Sequence, residues 1–187
     1  MENLSRQRAV NLLLSNDPKP IQQLLARFLW ALVSYVPFAF PGRQLSTLRV
    51  TLLRLFGAKI GKKVLVSSGV HVWFPWRLSI GDCSALGRSV EIYNYQDVRI
   101  GSNTVISQYS YICTAGHNYA SKSMDFYAKP IGIGNYAWIA ADVMICPGVL
   151  ISDGSVVGAR SLVTTDLGEW AVYAGVPARK IKDRVLT

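Results

Sequence analysis

The residue with the clearest capacity for chemistry is His117, one of only two histidines in the chain of 187 residues. It lies in the segment 113–132, which interrupts an otherwise regular six-residue repeat. A loop that leaves a regular scaffold often carries function, because the scaffold fixes the position of its side chains. Histidine is also the side chain best suited to proton transfer near neutral pH. The type and position of His117 therefore make it a candidate for proton transfer, with a turn-capping loop histidine as the structural alternative.

The scaffold that must position His117 is predicted by aliphatic residues that recur every six positions. They are Ile60, Val66, Val72, Ile80, Leu86, Ile92, Ile100, Ile106, Ile112, Ile133, Ile139, Ile145, Ile151, Val157 and Val163. A helix does not hold a period of six, and a flat sheet has a period of two. A chain that turns a corner every six residues closes one triangular coil in three turns. Stacked coils bury side chains that no coil could bury alone, and about five coils fit between Ile60 and Val163.

Two further patterns describe the corners of this coil. Small residues often follow the aliphatic position, as at Gly61, Gly81 and Gly101, where a corner has little room for a Cβ atom. Two steps of eight residues, from Val72 and from Ile92, place extra residues at a corner. We predict that both insertions, 73–76 and 93–96, bulge outwards.

An ordered set of motifs accompanies the repeat. They are Gly57-Ala58-Lys59-Ile60-Gly61, Thr114-Ala115-Gly116-His117, Lys129-Pro130-Ile131, Ala137-Trp138-Ile139-Ala140, Cys146-Pro147-Gly148-Val149, Val157-Gly158-Ala159-Arg160-Ser161 and Ala174-Gly175-Val176-Pro177-Ala178-Arg179. Over roughly residues 57–185 the chain resembles the hexapeptide-repeat acyltransferases, in particular the colanic-acid and maltose/galactoside O-acetyltransferases. The resemblance implies a mainly β fold, a left-handed parallel β-helix. It also implies a homotrimer with active sites between subunits.

The activity implied by the resemblance is direct transfer of an acetyl group from acetyl-CoA to a hydroxyl, with no covalent enzyme intermediate and no metal. His117 would be the general base, and the backbone N–H of Ala140 or Ala141 would stabilise the oxyanion. Asn118 stands where the colanic-acid branch often has an acid. An amide can still orient the ring, but it cannot offset the charge of an imidazolium; a simple turn former is the alternative.

The residues expected to bind acetyl-CoA lie mostly after the interrupting loop. They are Trp138, Pro147, Gly148, Gly158, Ala159, Arg160, Thr164, Thr165, Arg179, Lys180 and Lys182. Trp138 would line the pantetheine pocket, and the cations would meet the CoA phosphates. A Thr-Thr pair at 164–165 replaces the Thr-Lys pair common in the family. Tight turning explains the glycines equally well, and a solvated terminal helix explains the last three cations.

The acceptor-binding residues are expected on corners near His117. The candidates are Tyr93, Asn94, Tyr95, Asn118 and Tyr127. Aromatic and amide side chains suit a saccharide, and exposed bulge residues without a role are the alternative. The resemblance itself implies an O-acetyltransferase that acts on a saccharide hydroxyl in exopolysaccharide or surface-polysaccharide biosynthesis. The alternatives are a small-molecule acetyltransferase, acting on a free sugar, an amino sugar, serine or an antibiotic, and a β-solenoid scaffold without activity.

The two ends of the chain differ in composition from the repeat. Residues 1–63 hold ten Lys or Arg and only two acids, Glu2 and Asp17, which gives them a charge of +8 out of a total of +9. Residues 1–56 are predicted to form helices that cap the β-helix (residues 57–168), contact a membrane, or do both, with Leu45, Leu48, Leu52 and Leu55 on one face. Basic and apolar residues together favour an anionic lipid surface over nucleic acid.

Residues 169–187 are predicted to form a turn and a short helix. Three cysteines without a pairing pattern, and a beginning that lacks the order of a secretory signal, favour the cytoplasm, with contact at the inner face of the membrane. A lipid-linked saccharide would suit that location.

Overall fold

The structure is a computed structural model that describes residues 21–186; the part of the predicted basic segment that precedes Ile21 lies outside the described residues. Two α-helices come first, α1 (Ile21–Ala39) and α2 (Ser46–Leu55), and short 3-10 helices occupy Arg43–Leu45 and Pro75–Arg77. Nineteen short strands follow. They are β1 (Lys59–Ile60), β2 (Leu65–Val66), β3 (His71–Val72), β4 (Leu78–Ile80), β5 (Ala85–Leu86), β6 (Glu91–Tyr93), β7 (Val98–Ile100), β8 (Val105–Ile106), β9 (Tyr111–Cys113), β10 (Ala115–His117), β11 (Phe126–Ala128), β12 (Ile131–Ile133), β13 (Trp138–Ile139), β14 (Met144–Ile145), β15 (Leu150–Ile151), β16 (Val156–Val157), β17 (Leu162–Val163), β18 (Ala171–Ala174) and β19 (Arg179–Asp183).

The strands build three parallel faces of a solenoid. Face A contains β1, β4, β7, β12 and β15; face B contains β2, β5, β8, β13, β16, β18 and β19; face C contains β3, β6, β9, β14 and β17. Each coil visits A, B and C in turn, which gives five complete coils. Leu167 bridges to Ile151 and begins a sixth coil that β18 continues. The chain thus makes about six turns, one more than predicted, because the last turn lacks the six-residue aliphatic spacing.

The predicted aliphatic rows form the core. Ile92, Ile106, Ile139 and Ile145 are fully buried, as are their counterparts on neighbouring coils. Buried hydroxyls complete the ladder: Thr104 Oγ1 donates to the carbonyl of Gly134 at 2.7 Å and accepts from the N–H of Ala137 at 3.1 Å. Every buried side-chain nitrogen or oxygen of the described residues has a hydrogen-bond partner, which offsets the cost of burying these corners.

The glycines after the aliphatic positions permit close contact between coils. A Cβ atom on Gly101 would lie 2.5 Å from the carbonyl carbon of Gly134 on the next coil. The left-handed corner conformation itself falls on other residues, among them Lys63, Cys83 and Asn103.

The two helices cover the first coil. Trp30 of α1 is buried, and its Nε1–H donates to the carbonyl of Val72 at 2.7 Å. Of the leucines predicted to share one face of α2, Leu48 and Leu55 are exposed, whereas Leu52 is partly buried against the core. The buried face is instead formed by Ser46, Arg49, Val50 and Leu53.

The hydrogen bonds of Arg49 explain why this face of α2 is the buried one. Its guanidinium donates to the carbonyls of Pro37, Phe40, Gly42 and Val66, over 2.6–3.2 Å. These four acceptors are the backbone of the α1–α2 connection and of the first coil. Burial lowers the pKa of Arg49.

The predicted C-terminal helix is wrong. Strand β18 pairs with β16 in parallel, and β19 pairs with β18 in antiparallel fashion, so that the chain ends in a hairpin on face B. The open edge of β18 offers unpaired backbone groups, which β19 satisfies. All five residues of β19 are exposed, so a helix there would have no apolar face to bury.

Within residues 21–186, no helix combines the length and the apolarity that crossing a membrane requires.

Candidate active site

Three interruptions of the repeat stack on one corner of the solenoid, where face C turns into face A. Residues 73–77 occupy this corner in the first coil, residues 94–97 in the second and residues 114–130 in the third. Pro147 and Gly148 lie at the same corner in the fourth coil, and Thr164 and Thr165 in the fifth. The corner therefore brings most predicted acceptor residues and part of the predicted CoA residues into one column with His117.

His117 lies at the end of a two-stranded hairpin. Strand β10 pairs with β11 in antiparallel fashion, and His117 pairs with Phe126. The imidazole Nδ1 lies 2.7 Å from the carbonyl oxygen of Met124. A carbonyl can only accept, so Nδ1 carries the hydrogen and Nε2 keeps its lone pair when the ring is neutral. The exposed ring therefore has the tautomer that a general base requires.

The loop between these strands is closed by its own polar groups. The N–H of Asn118 donates to the carbonyl of Asp125 at 2.8 Å, and the Asn118 side chain accepts from the N–H of Ala120 at 3.1 Å. Asn118 is thus a turn former in this structure, and the carbonyl of Met124 takes the ring-orienting contact that Asn118 was considered for.

A column of aromatic rings runs from His117 towards the first coil. Phe126 packs against His117 with ring centroids 5.8 Å apart and against Tyr95 at 4.9 Å. Tyr95 contacts Tyr93 at 5.0 Å, and Tyr93 contacts Trp73 at 4.7 Å. Burial, with a smaller effect of Tyr95, raises the pKa of Tyr93 to about 12. Its hydroxyl is therefore neutral and can donate a hydrogen bond near neutral pH.

Two of the predicted acceptor residues are placed away from this column. Asn94 is fully buried; its amide donates to the carbonyl of Phe74 at 2.7 Å and accepts from the N–H of Phe74 at 3.0 Å. Asn94 therefore cannot contact an acceptor directly. The predicted outward bulge is wrong for Phe74 and Asn94, because the Asn94 amide links the corner of the second coil to the backbone of the first. Tyr127 pairs with Gly116, so it lies on the hairpin face opposite His117.

A second group of predicted residues occupies the corner where face B turns into face C. Ala140 and Ala141 lie there in the fourth coil, after Trp138, and Gly158, Ala159 and Arg160 lie there in the fifth. The N–H of Ala140 donates to the carbonyl of Val157 at 2.9 Å, so it cannot serve an oxyanion. Of the two predicted donors only Ala141 remains. Trp138 is half-exposed, and its Nε1–H donates to Ser107 Oγ at 3.1 Å.

Within a single subunit, these two corners lie at opposite ends of face C. Strand β14 pairs with β9, with Ile145 opposite Ile112, so Ala141 lies at one end of face C and His117 beyond the other. The part of face C between the two corners, Val143 to Cys146, spans on the order of 10 Å, and the turn at Ala141 and the excursion that carries His117 add to this separation. His117 and Ala141 of the same chain therefore cannot contact one reacting carbonyl.

The predicted cations are exposed but do not form one cluster. Arg160 lies 3.4 Å from the Asp142 carboxylate. Arg179, Lys180 and Lys182 lie on β19, and Lys180 pairs with Asp183 at 2.6 Å, which raises the pKa of Lys180.

Several residues of the corner were missed by the sequence analysis. Met124 acts through its backbone carbonyl, which no side-chain pattern reveals. Trp73 and Phe126 were visible as corner and loop aromatics, and Arg27 stacks 4.9 Å from the centre of the Trp73 ring. Only the stacking of coils brings these residues together.

Comparison with known proteins agrees with this architecture. No family model matches the chain. The chain is 45% identical to the colanic acid biosynthesis acetyltransferase WcaF of Escherichia coli (strain K12), over 85% of this chain and 87% of that protein. It is 34% identical to the galactoside O-acetyltransferase of the same strain, over 72% of this chain and 68% of that protein.

A solved structure agrees as well. A hexapeptide-repeat-containing acetyltransferase of Vibrio cholerae O1 biovar eltor, in complex with acetyl coenzyme A, superposes with a TM-score of 0.82 at 25% identity. The match covers 89% of this chain and 91% of that one. The left-handed parallel β-helix predicted from the sequence is thereby confirmed. The protein belongs to the hexapeptide-repeat acetyltransferases of the colanic-acid and galactoside O-acetyltransferase type.

Proposed function

We propose that this protein is an acetyl-CoA-dependent O-acetyltransferase that acts on a saccharide in exopolysaccharide or surface-polysaccharide biosynthesis. The observation that carries the proposal is the contact between His117 Nδ1 and the Met124 carbonyl, because it leaves Nε2 as a proton acceptor at an exposed corner. The likeness to WcaF and to the galactoside O-acetyltransferase supports the saccharide class.

The mechanism assigns one role to each group. Acetyl-CoA supplies the activated acetyl group. His117 Nε2 takes the proton of the acceptor hydroxyl as the hydroxyl oxygen forms its bond to the acetyl carbon. The N–H of Ala141 donates to the oxygen that becomes negative. When the carbon–sulfur bond breaks, His117 returns the proton to the thiolate, so that the enzyme is unchanged.

A homotrimer would bring the two halves of this site together. The outward row of face B is apolar and in register over six coils: it consists of Leu65, Ala85, Val105, Trp138, Val156 and Val172. The outward side of a solvated sheet is normally polar, so a row of this kind favours packing against another copy. Ala141 of one subunit could then face His117 of the next.

A sugar acceptor fits the aromatic column better than a small apolar substrate would. The rings of Tyr93 and Tyr95 offer apolar faces together with hydroxyl groups, as a pyranose requires. Trp73 extends the surface by one coil, and its Nε1–H donates to Glu91 Oε1 at 3.1 Å. The carboxylate of Glu91 adds an acceptor for sugar hydroxyls.

Contact with an anionic membrane is the second part of the proposal. Helix α1 exposes apolar side chains along its outer side: Leu24, Leu25, Phe28, Leu29, Leu32, Val33, Tyr35 and Val36. The sequence holds no acid between Asp17 and Asp82. An apolar face amid basic residues matches an interfacial helix, and such contact would suit a lipid-linked acceptor.

The acceptor class is tested by acetyl-CoA turnover with a panel of free sugars and lipid-linked oligosaccharides. We expect CoA release that depends on the acceptor, with intersecting two-substrate kinetics because both substrates bind before transfer. Parallel kinetics, or a stable acetyl-enzyme, would contradict direct transfer. Turnover with only serine or an antibiotic would reject the saccharide.

The membrane part is tested by flotation with vesicles of anionic or zwitterionic lipid. We expect binding to anionic vesicles that falls at least tenfold in Leu32→Glu. Val185→Glu is the matched control, since Val185 is equally apolar and 82% exposed at the other end of the chain. Equal binding by Leu32→Glu and the control, or none by the parent, would reject the membrane contact.

A further inference from the structure

The loop that carries His117 contains a carboxylate without a part in the transfer chemistry described above. Asp125 Oδ2 accepts from Ser121 Oγ at 2.6 Å, and Asp125 Oδ1 accepts from Ser123 Oγ at 2.5 Å. These two bonds lower the pKa of Asp125. We propose that Asp125, together with Ser121 and Ser123, is a positioning group for His117. The inference rests on the proposed function of His117 as the base.

The connection runs through the backbone of Met124. Asp125 follows Met124 directly, and the Asp125 carbonyl accepts from the N–H of Asn118, the residue after His117. The carbonyl of Met124 accepts from Nδ1 of the His117 ring. Any rotation of the peptide between Met124 and Asp125 would therefore move the carbonyl that hydrogen-bonds to the ring.

Met124 needs support to hold this orientation. Its φ is +48°, in the left-handed region that costs a residue with a side chain on the order of 1 kcal/mol. The N–H of Met124 donates to the carbonyl of Ser121 at 3.2 Å, which closes the turn. Hydrogen bonds to a carboxylate are stronger than those between neutral groups. The bonds from Ser121 and Ser123 to the adjacent Asp125 carboxylate therefore offset the backbone strain at Met124.

The position of Asp125 separates this role from a role in folding. The side chain is exposed and lies in the excursion, outside the buried aliphatic rows. Its replacement leaves the solenoid core intact, so catalysis and stability can be measured independently. Loss of ring orientation should lower kcat, because the proton acceptor is then misplaced in the bound complex. The residues predicted to bind acetyl-CoA all lie outside the loop, so we expect acetyl-CoA binding to be retained.

The test compares Asp125→Asn with the parent on the full-length protein. An asparagine has the same shape, but it can accept only one of the two hydroxyl bonds. We expect kcat to fall about tenfold, with the KM for acetyl-CoA within twofold and the melting temperature unchanged. The ¹⁵N spectrum of His117 should change from a single Nδ1–H tautomer to a mixture. Asp82→Asn is the matched control, since this exposed carboxylate lies on another corner, where it accepts from the N–H of Lys62.

Two further variants keep the proposal falsifiable. Ser123→Ala should lower kcat in the same direction, and the double variant with Asp125→Asn should be no worse than Asp125→Asn alone, because both remove one unit. Additive losses, or an unchanged tautomer, would overturn the positioning role.

The outcome also separates this inference from the proposed function. If His117→Ala abolishes transfer while Asp125→Asn behaves like the parent, only the positioning role fails. If His117→Ala retains full activity, the proposed function fails first.

Discussion

The Nδ1 atom of His117 lies 2.7 Å from the carbonyl oxygen of Met124, and this contact assigns the ring tautomer. A backbone acceptor has no protonation state of its own near neutral pH, so it holds the ring over a wide pH range. The Met124 carbonyl therefore makes the ring-orienting contact that was considered for Asn118.

The Asp125 carboxylate makes the order of this loop depend on pH. Its folded-state pKa is lowered by the two serine hydroxyls, so its contribution is fully present above the unfolded pKa of about 3.9 and is lost as the pH falls through the folded value. We expect the hydrogen-exchange protection of the Asn118 amide to decrease below about pH 4. In Asp125→Asn the protection should be lower and independent of pH from 6 to 3. The same profile in both proteins would contradict the assignment.

The N–H of Ala141 is predicted to stabilise the oxyanion. Ala141→Pro removes this donor, and kcat should fall about 10²-fold or more while acetyl-CoA still binds. Ala141→Gly retains the N–H and is the control; its kcat should stay within a few-fold of the parent. Initial rates and calorimetric binding provide the two readouts. Equal rates for the two variants would exclude the Ala141 amide.

Asn94 is predicted to act in stability and not in acceptor binding. Asn94→Leu keeps the branched shape of the side chain but leaves the buried N–H and carbonyl of Phe74 unpaired, which should cost about 2 kcal/mol of unfolding free energy. The KM for the acceptor should change little in the folded fraction. Denaturant titration measures the first effect. A raised KM at parental stability would restore the binding role predicted from the sequence.

Arg49 is predicted to fix the helical cap on the first coil. Arg49→Met should lower the unfolding free energy by about 3 kcal/mol, because buried carbonyls of the cap lose their donors. Arg54→Met on the same helix is the control, since Arg54 is exposed, and its loss should cost less than about 1 kcal/mol. Similar losses for both variants would show that burial of Arg49 is not what stabilises the cap.

The sequence predicted those parts of the molecule that repeat. Aliphatic side chains that recur every six residues indicate a buried position in each coil. The aliphatic rows, the coils and the excursion around His117 could therefore be predicted from the spacing. The buried face of α2 could not, because the backbone acceptors that hold Arg49 lie on α1, on the α1–α2 connection and on the first coil. The prediction of a terminal helix was wrong for a related reason. Strand β19 forms because β18 leaves an open edge, and that edge exists only once the coils are stacked.

In the candidate site too, some residues could be predicted from the sequence and others only from the stacking of the coils. His117 could be predicted as a residue type at an interruption, whereas the Met124 carbonyl and the buried Asn94 depend on how three corners stack. Ala140 could be excluded as the oxyanion donor only from the structure, where its N–H already donates to the next coil. Spacing alone carries none of this information.

The central claim is that His117 takes the acceptor proton, and acceptor-dependent CoA release by His117→Ala tests it most directly. The rate should fall about 10²-fold or more relative to the parent, while calorimetry shows unchanged acetyl-CoA binding. His71→Ala, which removes the other histidine, is the control and should retain most of the activity. A His117→Ala rate within a few-fold of the parent, with acetyl-CoA bound, would contradict the mechanism.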